Sequence, residues 1–312
     1  MPVLTPSYRD VKASLEYDVV LDDIKTPNGR VIANHKVATR RDTEEVYGIT
    51  PSTYPILQNH RFLAAMEEVF PEAINDSKAL EHKGVVMIGI PLRTFVRPVD
   101  TGIDDLVEPF LVFGNSHGKW KEIRGCLTMK RLVCSNQLAP TMRRKSREDK
   151  QLLTLRIPHE KPQHTRCEMI TAFKQNIVPF VERELQIYGK LARQRITPEV
   201  AAGYFQKLVP YPPAPAILDI EHQAEQEKKV DVIRLKLYDL FENGLGARNP
   251  SVYQTAWTAY NAITEFVDHE RSFPSQAALI GEHRRFYTGT FGSSGAFKAK
   301  AQAEALSLVT AG

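Results

Sequence analysis

The chain has 312 residues, 42% hydrophobic and 25% charged, with a formal net charge of +4; such a length can bury a large core, and such a balance excludes a wholly disordered chain. Its three cysteines, Cys126, Cys134 and Cys167, form no Cys-x-x-Cys pair, which argues against a disulfide framework or a thiolate zinc site. No apolar run is long enough to span a bilayer, and MPVLTPSYRD lacks the basic and apolar regions of a signal peptide, so no membrane partner is expected and the cytoplasm is the expected compartment.

Residues 1–55 read as an N-terminal extension carrying a short hairpin, with extended runs at Tyr17–Val20 and Arg30–Ala33 joined by a turn at Pro27-Asn28-Gly29. RFLAAMEEVFPEA follows, apolar at the helical period, and predicts one amphipathic helix. The stretches GVVMIGIPLRTFV, VEPFLVFGNSHG, KWKEIRGCLTMKRLVCSN and LLTLRIPHE then read as strands. A single antiparallel meander is the simplest assembly, and it places a β-rich core region at 56–165. From residue 166 the chain turns helical. EMITAFKQNIVPFVERELQIYGKLARQ is a long helix expected to kink at Pro179, and Thr197-Pro198-Glu199 looks like an N-cap followed by proline at the first helical position. A charged helix over 219–242, a helix opened by Asn249-Pro250 and a last helix after FGSSG complete a helical region at 166–312. The expected fold class is therefore α+β, an antiparallel sheet packed by helices with a mostly helical C-terminal half.

Positive charge is unevenly placed. Between Lys119 and Lys150 stand ten basic residues (Lys119, Lys121, Arg124, Lys130, Arg131, Arg143, Arg144, Lys145, Arg147 and Lys150) against Glu122, Glu148 and Asp149, a local +7 that leaves the remainder at −3. An excess concentrated in so short a stretch is the footprint of a polyanion partner, or else a solvated basic loop. Trp120, Glu122, Arg124 and Cys126 share one parity of the predicted strand. Trp120 and Arg124 are thus expected on its open face, beside the loop Arg143-Arg144-Lys145-Ser146-Arg147. Bases stack on aromatic rings and phosphates pair with cations, so this combination suits a single strand of DNA or RNA.

Other constellations compete with it. His117, in the turn Asn115-Ser116-His117-Gly118, could join Glu265 and His269 in a two-histidine, one-carboxylate metal site. Cys134 with His117 and Asn136 has the composition of an activated thiol. Lys298, just after Gly295 at a predicted helix start, could touch a phosphate. The helix around Trp257 carries a polar stripe of Asn261, Thr264, Glu265, Asp268 and Arg271, which must meet water or polar partners.

Taken in order, Asn-Ser-His-Gly at 115–118, RLVCSNQLA at 131–139, TAWTAYNAITEFVDHER at 255–271 and FGSSGAFK at 291–298 resemble the motifs of a large phage- and plasmid-borne family catalogued as a domain of unknown function. The resemblance runs from about residue 40 to the end. Members often have aspartate where this chain has Gly118, and usually threonine where it has Gln137. The resemblance implies an α+β protein of mobile elements, with a further fold-level similarity to phage strand-annealing proteins. The expectation is a non-enzymatic single-strand-binding protein that needs no cofactor and works as a homo-oligomer, using Lys119, Trp120, Lys121, Arg124, Lys130, Arg131, Arg143, Arg144, Lys145 and Arg147. The alternatives are a metal-dependent nuclease built on His117, Glu265 and His269, and a phage structural or host-interaction protein.

Overall fold

The turn at Pro27-Asn28-Gly29 closes as its residues require: Gly29 takes φ +76° and its N–H donates to Thr26 O at 2.8 Å. The strands it joins outrun the expectation, β1 covering Val19–Lys25 and β2 Val31–Arg40, and a third strand, β3 (Val46–Pro51), pairs antiparallel with β2. The computed structural model describes residues 7–100, 102–134, 137–138, 154–213, 220–270 and 286–310.

Among the described residues the expected single meander gives way to two antiparallel sheets. Helix α2 (Asn59–Val69) lies between β3 and the next strand, so a tight hairpin cannot carry the first sheet into the second. The larger sheet has the order β4 (Lys78–His82), β5 (Val85–Pro91), β7 (Ile103–Ser116), β8 (Glu122–Arg131) and β9 (Thr154–Pro158), with β6 (Arg97–Asp100) also on β7. β7 reaches both partners by its length: Phe110–Ser116 faces β5, and Ile103–Val107 faces β6. The unbroken apolar run of β5 is explained by cover on both sides. Val86, Ile88 and Ile90 enter the main core, while Val85 and Met87 enter a second cluster on the outer face.

Helices α1 (Tyr8–Leu15), α3 (Gln163–Gln175), α4 (Ile177–Arg193), α5 (Pro198–Leu208), α6 (Ile220–Asn243), α7 (Ala256–Glu265), α8 (residues 286–291) and α9 (Ser293–Thr310) complete an α+β protein whose C-terminal half is helical. The expected kink at Pro179 is a break at Asn176, three residues earlier. Proline has no N–H to donate to a carbonyl of the preceding turn, so the chain restarts and leaves Pro179 in the first turn of α4, where its missing N–H costs nothing. Thr197 caps α5 as read, accepting from Val200 N–H. α7 starts later than Asn249-Pro250 suggested, capped by Thr255, and continues as a π-helical turn over Phe266–Glu270. Every residue of α7 is buried.

Candidate nucleic-acid interface

Strand β8 divides its side chains by parity. Ile123, Leu127 and Met129 enter the main core, whereas Glu122, Arg124, Cys126, Thr128 and Lys130 face the outer side of the sheet. That outer face is partly roofed by α8, whose Phe286, Tyr287 and Phe291 pack over Leu80, Val85, Met87, Val112 and Cys126. Gly114 permits the close approach, since a Cβ there would sit 3.1 Å from both Phe291 and Trp120.

Trp120 is consequently not an open platform. Its ring is only 8% exposed, edge-on to Phe291 at 4.9 Å and parallel to Tyr287 at 6.2 Å. The expectation placed it on the face correctly and missed the roof, because nothing in the strand pattern shows which distant segment covers a sheet. Cations close both ends of the ring pair: the Arg124 guanidinium lies 4.4 Å from the Trp120 centroid and the Lys119 ammonium 4.2 Å from that of Tyr287. Burial, with Lys83 nearby, pulls the Lys119 ammonium below its ordinary value. Lys121 is exposed and stands 5.6 Å from the Tyr54 ring. Lys130 is half-buried opposite Glu108. Tyr287, Phe110 and Phe291 remain partly exposed among these cations, and Lys83 and Arg156 extend the basic band. Sequence reading missed Tyr287 and Arg156; the only available signal was the aromatic content of RRFYTGTFG and the alternation in LLTLRIPHE.

Arg131 does not belong to this surface. It points inward, 1% exposed, and its Nε reaches both Asp105 oxygens at 2.9 and 2.8 Å while Nη2 lies 2.6 Å from Oδ2. Its remaining N–H groups donate to the carbonyls of Leu245 and Gly246. Odd parity on β8 decides this: Arg131 shares the side of Leu127 and Met129, and a charge there must be paired. Arg143, Arg144, Lys145 and Arg147 lie outside the described residues. Before them Leu138 is held on β8, its N–H donating to Met129 O at 2.7 Å and its carbonyl accepting from Thr128 Oγ1 at 2.9 Å.

The alternative constellations resolve differently. His117 is buried; its Nε2 lies 2.8 Å from Asn59 Oδ1, and its ring sits between Tyr17 and Tyr47. Gly118 explains why this turn lies so close to β3, because a Cβ there would meet Tyr47 O at 2.2 Å. Glu265 accepts the Leu245 N–H with both oxygens, and burial raises its carboxyl. Burial lowers His269, which neighbours Asp268 and the Cys134 backbone. Among the described residues no three His, Cys, Asp or Glu side chains form a group able to hold a metal ion, so His117, Glu265 and His269 are not assembled as ligands. Cys134 is buried with Arg131 Nη1 4.0 Å from its sulfur, and His117 is engaged by Asn59 instead.

Lys298 is likewise committed. It is fully buried, bonded to Asp268 Oδ1 at 2.5 Å and to Gln137 O at 2.7 Å, while Asp268 Oδ2 takes the Gln137 N–H at 2.8 Å. The polar stripe over Asn261, Thr264, Glu265 and Asp268 therefore pins elements together rather than lining an open site; Arg271 lies outside the described residues. Trp257 Nε1 donates to Asp105 Oδ2 at 2.8 Å, and Asn261 Nδ2 to Trp257 O at 2.9 Å. Three of the sequence motifs, distant in the chain, thus meet through Arg131, Gln137, Asp268 and Lys298. No helix among the described residues is long and apolar enough to cross a membrane.

No curated protein and no solved structure matches the chain. A family model does, over residues 46–304, which contain all four motif segments, and the chain belongs to that family, the domain of unknown function DUF932.

Proposed function

We propose that the chain binds single-stranded nucleic acid on the outer face of its six-stranded sheet, without catalysing a reaction. The observation that carries this reading is the column Arg124, Trp120, Tyr287, Lys119, in which a pair of aromatic rings is flanked by a cation at each end on a partly open sheet face. Lys119, Lys121, Arg124 and Lys130 neutralise phosphates, and Tyr287, more open than Trp120, takes over the stacking role. The basic residues Arg143, Arg144, Lys145 and Arg147 belong to the proposal on sequence grounds, since the excess of charge lies with them. We extend the reading to strand annealing or recombination on a phage or plasmid genome in the host cytoplasm, by a homo-oligomer; single-strand handling is what such elements require of a non-enzymatic basic surface.

Fluorescence anisotropy with a labelled single-stranded oligonucleotide tests it. Binding is expected at low salt and should weaken steeply as salt rises, because phosphate neutralisation releases counterions. Alanine at Lys119, Lys121 and Lys130 together, or at Arg143, Arg144, Lys145 and Arg147 together, should weaken binding and flatten the salt slope. Tyr287→Ala should instead remove about 1–3 kcal/mol with the slope unchanged, as lost stacking does. A parent protein that binds no single strand at low salt sinks the proposal.

A further inference from the structure

Arg124 and Arg156 sit directly opposite each other on β8 and β9. Like charges at such a pair repel, because their side chains leave the same face of the sheet only about 5 Å apart at Cβ. Neither is buried in the core: their side chains are 24% and 62% exposed. Among the described residues one carboxylate lies between them. Glu122 Oε1 is 2.8 Å from Arg124 Nε and 3.6 Å from Arg156 Nη1. A single oxygen therefore faces both guanidinium groups, close to one and beyond direct hydrogen-bond length from the other. On the opposite flank Arg124 faces Gly114, which brings no side chain and no counter-charge.

We infer that the Arg124–Arg156 pair is an oxyanion site fitted to a phosphate group, and that the Glu122 carboxylate holds that place in the free protein. A guanidinium presents its N–H donors as a planar fork that matches carboxylate or phosphate oxygens. A tetrahedral phosphate offers several oxygens where Glu122 applies one, so it can serve both forks at once and displace the carboxylate toward water. Arg124 also lies over Trp120, which puts the phosphate beside the ring column. The inference deepens the nucleic-acid reading above and rests on it for the source of the phosphate; free phosphate is the other source of the same chemistry.

The test is Glu122→Gln, which keeps shape and removes the competing charge. With a labelled single-stranded oligonucleotide at moderate salt, E122Q should bind roughly two- to five-fold tighter than the parent, the scale of one exposed ion pair. Its salt slope should steepen by about one phosphate contact. Arg156→Ala in the E122Q background should abolish that gain, and because Arg156 is largely exposed this change spares the fold. If the parent binds the oligonucleotide and E122Q binds equally or less well, the oxyanion site is wrong while the nucleic-acid reading stands. If the parent binds no oligonucleotide, the nucleic-acid reading fails and inorganic phosphate becomes the probe. The site then survives only if phosphate, against chloride at equal ionic strength, raises the melting temperature of E122Q but not that of the E122Q and R156A double variant.

Discussion

Trp257→Ala is expected to lower the unfolding free energy by about 3–5 kcal/mol, read as a shift of the urea midpoint with the slope unchanged. The ring is fully buried, packed on Tyr188 at a centroid distance of 5.0 Å, and its N–H supplies one of the hydrogen bonds to Asp105. Removing it therefore opens a cavity and takes a donor from a carboxylate that is itself only 3% exposed. Trp257→Phe separates the two effects, since it keeps most of the ring and loses the donor; about 1–2 kcal/mol is expected. Arg131→Met should also cost about 3–5 kcal/mol, because Asp105 would stay buried without its cation. The losses from Trp257→Ala and Arg131→Met should not add, as both act on Asp105. A midpoint for Trp257→Ala equal to that of the parent would refute this account of the network.

What could be read in advance follows the range of the forces involved. The Pro27-Asn28-Gly29 turn, the Thr197 cap and the parity of β8 are local properties, set by backbone sterics and by neighbours in the chain, and the structure has them where the sequence placed them. The roof on Trp120 is non-local. Phe286, Tyr287 and Phe291 lie far along the chain, and no periodicity in β8 could announce them. Charge summed along a segment carries no information about face and so places Arg131 with the surface cations, whereas its parity, shared with Leu127 and Met129, points inward. The stripe on α7 was legible as a demand for polar partners, but not the identity of those partners, Asp105 on β7, Leu245 and Gln137. Likewise the pairing of Arg124 with Arg156 depends on the β8–β9 register across a long excursion, which sequence spacing does not set.

Acid should destabilise the protein between pH 6.5 and 5, and two buried histidines are the reason. Burial, with the nearby charge of His159 adding, pushes His117 from 6.5 down to about 3, and burial likewise pushes His159 down to about 4. His117 meets Asn59, Tyr17 and Tyr47, with Glu81 acting on both tyrosines; His159 meets Tyr54 Oη and the Arg166 guanidinium, whose Nη2 donates to its carbonyl. Among the described residues His117 Nδ1 and His159 Nε2 have no hydrogen-bond partner; for His159 the backbone of Glu122 favours the charged ring, but burial outweighs it. In the unfolded chain both protonate near 6.5, and in the folded chain they do so only far below. The unfolded state therefore binds more protons throughout this window, and stability is fully present above it and lost as pH falls through it. Each histidine contributes a slope of about 1.4 kcal/mol per pH unit once below 6.5, hence about 2 kcal/mol apiece by pH 5 and about 4 kcal/mol together. Glu81 and Glu265, raised by burial, act in the opposite sense, and His269, lowered by burial, acts in the same sense, so the part due to His117 and His159 is isolated by comparing variants. His117→Gln and His159→Gln should each flatten the dependence of the urea-derived unfolding free energy on pH by one proton's worth of slope, even where they lower stability at pH 7.5. A double variant with the slope of the parent between pH 7 and 5 would show that these two rings take up protons as readily folded as unfolded.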